Sequence, residues 1–142
     1  MFEHIMVPYD KSEPASRALE YAMDLAKKYS SKISIITYVS LNVGYSADGG
    51  SSYVEMVKLQ KKSAEYTLSK LEPKLQKLKI PYCIKAIEGT SIIETLISYA
   101  EMHHVNLIVM GSRGLGGFKK LLLGSVASGV LQHSECPVWI VK

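Results

Sequence analysis

The sequence predicts an α/β fold of the doubly wound type, with a five-stranded parallel sheet and helices on both faces. Short apolar or β-branched segments alternate along the chain with segments whose apolar residues recur at helical spacing. This alternation is typical of parallel sheets with crossover helices. The chain has 142 residues, 47% hydrophobic and 21% charged, which favours one globular domain over 1–142.

The first half of the chain begins with a strand, a helix and a second strand. Residues 4–10 form a short apolar run that ends in a proline and an aspartate, which predicts a buried strand. Ser12 is a suitable N-cap for the following helix, and Pro14 is tolerated in its first turn. Residues 32–40 are rich in β-branched and aromatic side chains, which predicts the second strand.

A long loop and a long helical region follow. The segment 41–52 contains three glycines and no apolar periodicity, so we expect a mobile loop there. From Tyr53 to about Lys79 the apolar residues keep helical spacing. Pro73 lies inside that pattern, and because an interior proline costs about 3 kcal/mol, we expect a break near Glu72.

The second half of the chain supplies the other three strands and two helices. Ser91 and Glu94 form an S-x-x-E capping box ahead of one helix. The last helix is predicted from Ser125 to His133. The strands are predicted over 81–89, 106–111 and 136–141.

The composition argues against several classes of protein. The net charge is +4, but the lysines occur in scattered pairs without the aromatic-basic pattern of RNA-binding sheets, so we expect no nucleic acid partner. No apolar run approaches the roughly 20 residues of a membrane helix, and the N-terminal segment lacks signal-peptide features, so we expect a cytoplasmic protein without membrane contact. Cys83 and Cys136 form no CxxC pair and are predicted to be buried free thiols.

A glycine-rich segment, GSRGLGGFKKLLLGSV over 111–126, directly follows the fourth predicted strand. In open parallel sheets, ligands bind beyond the carboxyl ends of the strands. Gly111 and Gly114 can adopt positive φ and expose backbone N–H groups. Gly124 and Ser125 begin the next helix, and a helix N-terminus binds anions. The segment therefore predicts close approach of the backbone to a polyphosphate, with the Ser125 hydroxyl as a further donor.

Several polar residues near this segment have roles that the sequence leaves open. Ser112, Arg113, Lys119 and Lys120 either contact phosphate or face solvent. Asp10, at the end of the first strand, either accepts hydrogen bonds from a ribose or caps the turn before the first helix. The sequence shows no catalytic constellation, and it shows no spacing typical of metal ligands.

The glycine spacing resembles that of a known family. Gly111-x2-Gly114-x9-Gly124-Ser125 is similar to the G-2x-G-9x-G-(S/T) motif of the nucleotide-binding branch of the universal stress proteins. The resemblance covers the whole chain. It is carried also by IMVPYDKSEPASRALEYA, HHVNLIVMGSRG and GSVASGVLQHSECPVWIVK.

This resemblance implies a strand order of 3-2-1-4-5, with ATP bound where the order reverses between strands 1 and 4. Pro8 and Asp10 would then lie beside the ribose and adenine, and Val39 would meet the adenine through its backbone. The glycines, Ser125 and Val126 would surround the phosphates, with Mg²⁺ as an optional companion ion. The implied site consists of Pro8, Asp10, Val39, Met110, Gly111, Gly114, Gly124, Ser125 and Val126.

The favoured function is that of an ATP-binding switch or interaction module of the stress response, with an unidentified protein partner and at most very slow ATP hydrolysis. Two alternatives stay open: a slow Mg-dependent ATP hydrolase or phosphotransferase, and a structural module that has lost nucleotide binding. The last strand, 137–141, is apolar on both faces, and the resemblance places it at a sheet edge. We therefore expect a homodimer through this strand, with Trp139 in or near the interface.

Overall fold

The computed structural model describes residues 1–42, 51–116, 120 and 122–142. Its strands are β1 (His4–Pro8), β2 (Lys32–Ser40), β3 (Tyr82–Gly89), β4 (Leu107–Gly111) and β5 (Val138–Val141). Its helices are α1 (Glu13–Tyr29), α2 (Ser51–Ser69), α3 (Glu72–Leu78), α4 (Ile92–Met102) and α5 (Ser125–His133). All pairings between neighbouring strands are parallel, and the order is β3-β2-β1-β4-β5. The predicted fold class and strand order are confirmed.

The sheet is covered by helices on both faces, and β1 lies at its centre. Successive side chains of a strand point to opposite faces. Ile5 and Val7 accordingly pack with α1 and with buried residues of α2 and α3. Met6 packs on the other side with Leu96 of α4 and Val130 of α5. Two apolar layers therefore hold the carboxyl end of β1 in a fixed position between them.

Helix α1 begins and ends with local signals that the sequence carries. The Ser12 hydroxyl accepts a hydrogen bond from the Ala15 N–H over 3.2 Å, which satisfies one of the free donors of the first turn. Pro14 lies in that first turn, as expected. The helix stops at Ser30, whose φ of 55° is left-handed.

The predicted break in the long helical region is confirmed. Helix α2 ends at Ser69, and α3 begins at Glu72 with Pro73 in its first turn. A proline there needs no N–H partner, because the first turn of a helix leaves its N–H groups free. Most of the predicted loop 41–52 lies outside the described residues, although α2 already begins at Ser51.

Two smaller expectations concern cysteines and membrane helices. Cys83 and Cys136 are both free, but each is half-buried rather than buried, because β3 and the start of β5 lie towards the edges of the sheet. Within the described ranges, no helix combines the length and the apolar character needed to cross a bilayer.

Candidate functional site

A cavity of about 490 Å³ opens at the carboxyl ends of the central strands β1, β2 and β4. Its size falls within the range of about 300–1,000 Å³ that is usual for small-molecule sites. In the sheet, β1 lies between β2 on one side and β4 on the other. The cavity therefore lies where the strand order reverses. All predicted site residues except Val39 line it, namely Pro8, Asp10, Met110, Gly111, Gly114, Gly124, Ser125 and Val126.

Val39 is the predicted site residue that does not line the cavity. Its side chain is buried, and its Cα is paired with that of Glu88 in β3. The part of β2 that borders the cavity comes earlier in the strand, at Thr37 and Tyr38. The Thr37 hydroxyl donates to the Tyr9 carbonyl over 2.8 Å, which fixes the end of β1 against β2.

An apolar wall was not anticipated from the sequence. The half-buried Ile92 of α4 lines one side of the cavity and packs on Ile36 and Leu96, which are almost fully buried behind it. These residues carry no motif. The sequence does contain one signal for Ile92 and Leu96, the capping box at Ser91. This cap fixes where α4 begins, and it therefore fixes which residues of α4 reach the edge of the sheet. The wall offers a flat ring system an apolar surface.

The opposite side of the cavity is formed by the N-terminus of α5. The N-cap is Gly124, whose own N–H donates to the Ser112 carbonyl over 2.6 Å. The next three N–H groups, over 125–127, have no hydrogen-bond partner among the described residues. The first turn contains no acidic side chain. This turn therefore presents free donors and a positive dipole end to the cavity.

Helix α1 also begins beside the cavity, but its N-terminus is closed to anions. Ser12 already occupies one N–H group as a side-chain cap, and Pro14 removes another donor. Glu13 adds a negative charge to the first turn. Between α1 and α5, α5 is therefore the helix equipped to receive a negatively charged group.

Gly111 has a different physical role from the one predicted. Neither Gly111 nor Gly114 uses the positive φ that glycine allows, since neither has a φ in the left-handed region. A Cβ on Gly111 would lie 2.8 Å from the backbone N of Ala15 and from the backbone C of Pro14. The glycine is needed because the first turn of α1 presses against the end of β4.

Asp10 connects the two loops that border the cavity. Its Oδ1 accepts from the Ser12 N–H over 3.0 Å, and its Oδ2 accepts from the Leu115 N–H over 3.1 Å. A Cβ on Gly114 would lie 2.7 Å from the same Oδ2. The turn-capping alternative for Asp10 is therefore realised, and Gly114 makes room for that carboxylate.

The other polar candidates of the glycine-rich segment are dispersed. Arg113 lines the cavity. Ser112 is buried and does not line it, and its N–H donates to the Val141 carbonyl over 2.7 Å. Lys120 is exposed away from the lining, and Lys119 lies outside the described residues.

Known proteins resemble this chain in sequence and in structure. The profile described as "Universal stress protein family" matches residues 1–142. Universal stress protein YxiE of Bacillus subtilis is 31% identical, with 100% of both chains covered. Universal stress protein MJ0531 of Methanocaldococcus jannaschii is 30% identical, with 100% of this chain and 83% of the relative covered.

Among solved structures, UspA from Lactobacillus plantarum superposes with a TM-score of 0.90 at 20% identity, covering 99% of this chain and 98% of its own. A universal stress protein in complex with cAMP gives a TM-score of 0.72 at 21% identity, covering 99% and 97%. A family member from Arabidopsis thaliana with AMP bound gives 0.68 at 19% identity, covering 98% and 90%. These similarities at low identity show a shared fold. The family profile matches the full length of the chain, residues 1–142. The chain therefore belongs to the universal stress protein family.

Proposed function

We propose that this protein binds ATP in the cavity between β1, β2, β4 and α5 and acts as a nucleotide-dependent switch or interaction module in the stress response. The observation that carries the proposal is the pairing of an apolar wall with the free N–H groups of α5 across one cavity of about 490 Å³. An adenine nucleotide has the matching asymmetry, an apolar ring at one end and phosphates at the other. The relatives with bound AMP and cAMP support the same ligand class.

The geometry suggests an orientation for the ligand. The base would pack against the side of the cavity formed by Ile92, and the phosphates would meet the N–H groups at Ser125 and Val126. Asp10 lies between these two ends. An ionised carboxylate has about four acceptor positions, and two of them are used by backbone N–H groups. The remaining positions suit the hydroxyls of a ribose.

Binding is favoured over turnover because of how Asp10 is held. Within the described residues, Asp10 is the one carboxylate that lines the cavity, and both of its oxygens already accept backbone N–H bonds. Mg²⁺ bound with the nucleotide would therefore be held by phosphate oxygens and water, with little from the protein. Rapid phosphoryl transfer needs a firmly held metal and a positioned acceptor. We expect hydrolysis to be very slow or absent.

The contact between Asp10 and Leu115 offers a route from ligand to surface. The Leu115 side chain is 70% exposed, while its N–H is held by the Asp10 carboxylate. A ribose hydroxyl that competes for that carboxylate would change the position of an exposed apolar side chain. Such a change is what a partner protein could recognise.

Two single substitutions distinguish the two ends of the ligand. Ser125→Ala removes one hydrogen bond to a charged group, worth about 1.5–3 kcal/mol, so ATP affinity should fall about tenfold to a hundredfold while adenosine affinity is unchanged. Asp10→Ala should weaken ATP and adenosine alike. Calorimetric titration of both ligands into both variants measures this difference. Unchanged ATP affinity in both variants would remove the support for this site.

We also propose a homodimer through the edge strand β5. Trp139 is 40% exposed, and its ring lies 5.4 Å from that of Tyr21, itself about half exposed. Strand β5 pairs with β4 on one side, and its other edge is not paired with any described strand. An unpaired apolar edge favours self-association, and a two-fold axis would pair two copies of β5.

Trp139→Asp should convert the dimer to a monomer, because the new carboxylate would be buried without a partner at the interface. Sedimentation velocity at micromolar concentration measures the species present. Tyr29→Asp is the matched control, since Tyr29 is an equally exposed aromatic residue at the far end of α1, beside Phe2. A wild-type protein that already sediments as a monomer would contradict the dimer.

A further inference from the structure

A buried polar network lies at the amino end of the sheet, opposite the cavity. His4 opens β1 and is 7% exposed. Its Nδ1 lies 2.9 Å from the His103 carbonyl, and its Nε2 lies 2.7 Å from the Ser34 hydroxyl. A carbonyl only accepts, so Nδ1 carries the proton. In the neutral ring, Nε2 then accepts from Ser34.

This arrangement fastens the C-terminal turn of α4 to the sheet. The His103 carbonyl lies just past the end of α4. The imidazole ring of His103 lies against the Tyr99 ring, with 4.2 Å between the two ring centroids. The Tyr99 side chain in turn lies next to Ser34 of β2 and Cys83 of β3. The Asn106 side chain also belongs to this network, since its Oδ1 accepts from the backbone N–H of His4 over 2.8 Å.

The surroundings of His4 are unfavourable to a positive charge. In the described part of the chain, the charged or titratable side chains that act electrostatically on the His4 ring are Lys32 of β2 and His103, just past the end of α4. Each of them disfavours a positive charge on that ring. Tyr99 and Cys83 lie beside Ser34, the hydroxyl partner of His4. Burial, reinforced by these charges, lowers the pKa of His4 despite the bond to the His103 carbonyl.

Protonation would also reverse the direction of one bond of the network. A second proton on Nε2 turns that atom from an acceptor into a donor, so the Ser34 hydroxyl must reverse its direction. Ser34 is fully buried, so its hydroxyl hydrogen must then find a new acceptor inside the protein. The Nδ1–H bond to the His103 carbonyl survives protonation, so the charged ring is relieved only if water reaches it. Opening of the turn that contains His103, at the surface end of the network, would admit that water.

We propose that His4 is a pH-sensitive lock, whose neutral ring fastens the C-terminal turn of α4 to the sheet and whose protonation releases that turn and shifts the α4 wall of the cavity. Helix α4 links the two ends, since Ile92 and Leu96 line the cavity and Tyr99 lies one turn further along. The effect on the cavity rests on the proposed nucleotide site, whereas the release of the turn does not.

The direction of the pH effect follows from the lowered pKa. Unfolded His4 takes up its proton near pH 6.5, before the folded residue does, so the unfolded state binds more protons below that pH. The contribution of His4 to stability is therefore complete above its unfolded pKa and is lost as the pH falls through its folded pKa.

Hydrogen exchange tests the lock without any nucleotide. After correction for intrinsic rates, the amides over 103–106 should exchange at least about tenfold faster near pH 5 than near pH 7.5 in the wild type. His4→Asn retains a donor for the His103 carbonyl but cannot titrate, so this difference should vanish. His133→Asn is the matched control, because the exposed His133 makes a similar bond to the Gly129 carbonyl, and there the difference should persist.

A charge substitution gives a second test should His4→Asn fail to fold. Lys32→Glu replaces the repelling charge by an attracting one. The acceleration of exchange over 103–106 should therefore begin at a higher pH. An equal pH effect in His4→Asn, a transition unmoved in Lys32→Glu, or no acceleration in the wild type would each overturn the lock.

Nucleotide titration at the same two pH values tests the link to the cavity. Between pH 7.5 and pH 5, the ATP affinity of the wild type should fall together with the exchange protection of the amides over 103–106. The ATP affinity of His4→Asn should not fall between these two pH values. Loss of protection with unchanged ATP affinity would overturn the link along α4. Failure to bind ATP at either pH would count against the proposed function, while the exchange data would still report on the lock.

Discussion

Replacement of Gly111 by valine is expected to lower the free energy of unfolding by about 3 kcal/mol, at the upper end of the usual effect of overpacking. The added Cβ would lie 2.8 Å from backbone atoms of Pro14 and Ala15, and the remaining valine carbons would worsen the clash. A flexible side chain could move aside, but the first turn of α1 cannot move without breaking its Ser12 cap. Equilibrium urea unfolding measures the change.

The control for this experiment lies in the same glycine-rich segment. A Cβ on Gly116 would have no atom of the described residues within 4 Å, so Gly116→Val should change stability by no more than about 0.5 kcal/mol. Equal stability of the Gly111 and Gly116 variants would contradict the close approach of α1 to β4. A large loss at Gly111 alone would show that this glycine of the motif serves packing.

Ser125→Glu is expected to reduce ATP affinity by at least about a hundredfold while leaving the fold intact. Two unit charges of like sign about 4 Å apart repel by roughly 4 kcal/mol near a protein surface, and ATP brings several negative charges. The side chain is exposed at the first position of α5, where an acidic residue favours the helix by about 0.3–1 kcal/mol. Stability and ATP affinity should therefore change in opposite directions.

Calorimetry with two ligands and one control variant completes this test. Adenosine lacks the phosphates, so its affinity for the Ser125→Glu variant should remain close to that of the wild type. Gln132→Glu makes the same charge change at an exposed position in the last turn of α5, and its ATP affinity should be little altered. Equal weakening of ATP in both glutamate variants would indicate general charge repulsion instead of a phosphate site at the helix start.

The fold could be predicted from the sequence because its signals are local. The apolar runs of β1 and β4, the cap at Ser12 and the break before Pro73 are each visible within a few residues. The strand order was an inference from resemblance. Pairing over long sequence separations depends on packing, which short windows of sequence do not contain.

Most residues of the candidate site line one cavity, but the contacts that they make there could not be predicted from the sequence. Gly111 was correctly placed at the cavity, yet its need for a small residue comes from Pro14, almost a hundred positions away in sequence. The bond between Asp10 and Leu115 is equally non-local. Val39 was expected at the cavity from the resemblance to the family, but β2 passes the cavity at Thr37 and Tyr38. Such offsets depend on sheet twist and strand register.

The most direct test of the central claim is an amide NMR titration of the wild-type protein with ATP and, separately, with adenosine. ATP should shift the amide signals of residues 125–127, whose N–H groups would bind the phosphates, and adenosine should leave them nearly unchanged. Both ligands should shift the signals of Thr37 and Leu96, on the side proposed for the base. Binding of ATP without a shift at residues 125–127, or shifts there of equal size with adenosine, would contradict the account.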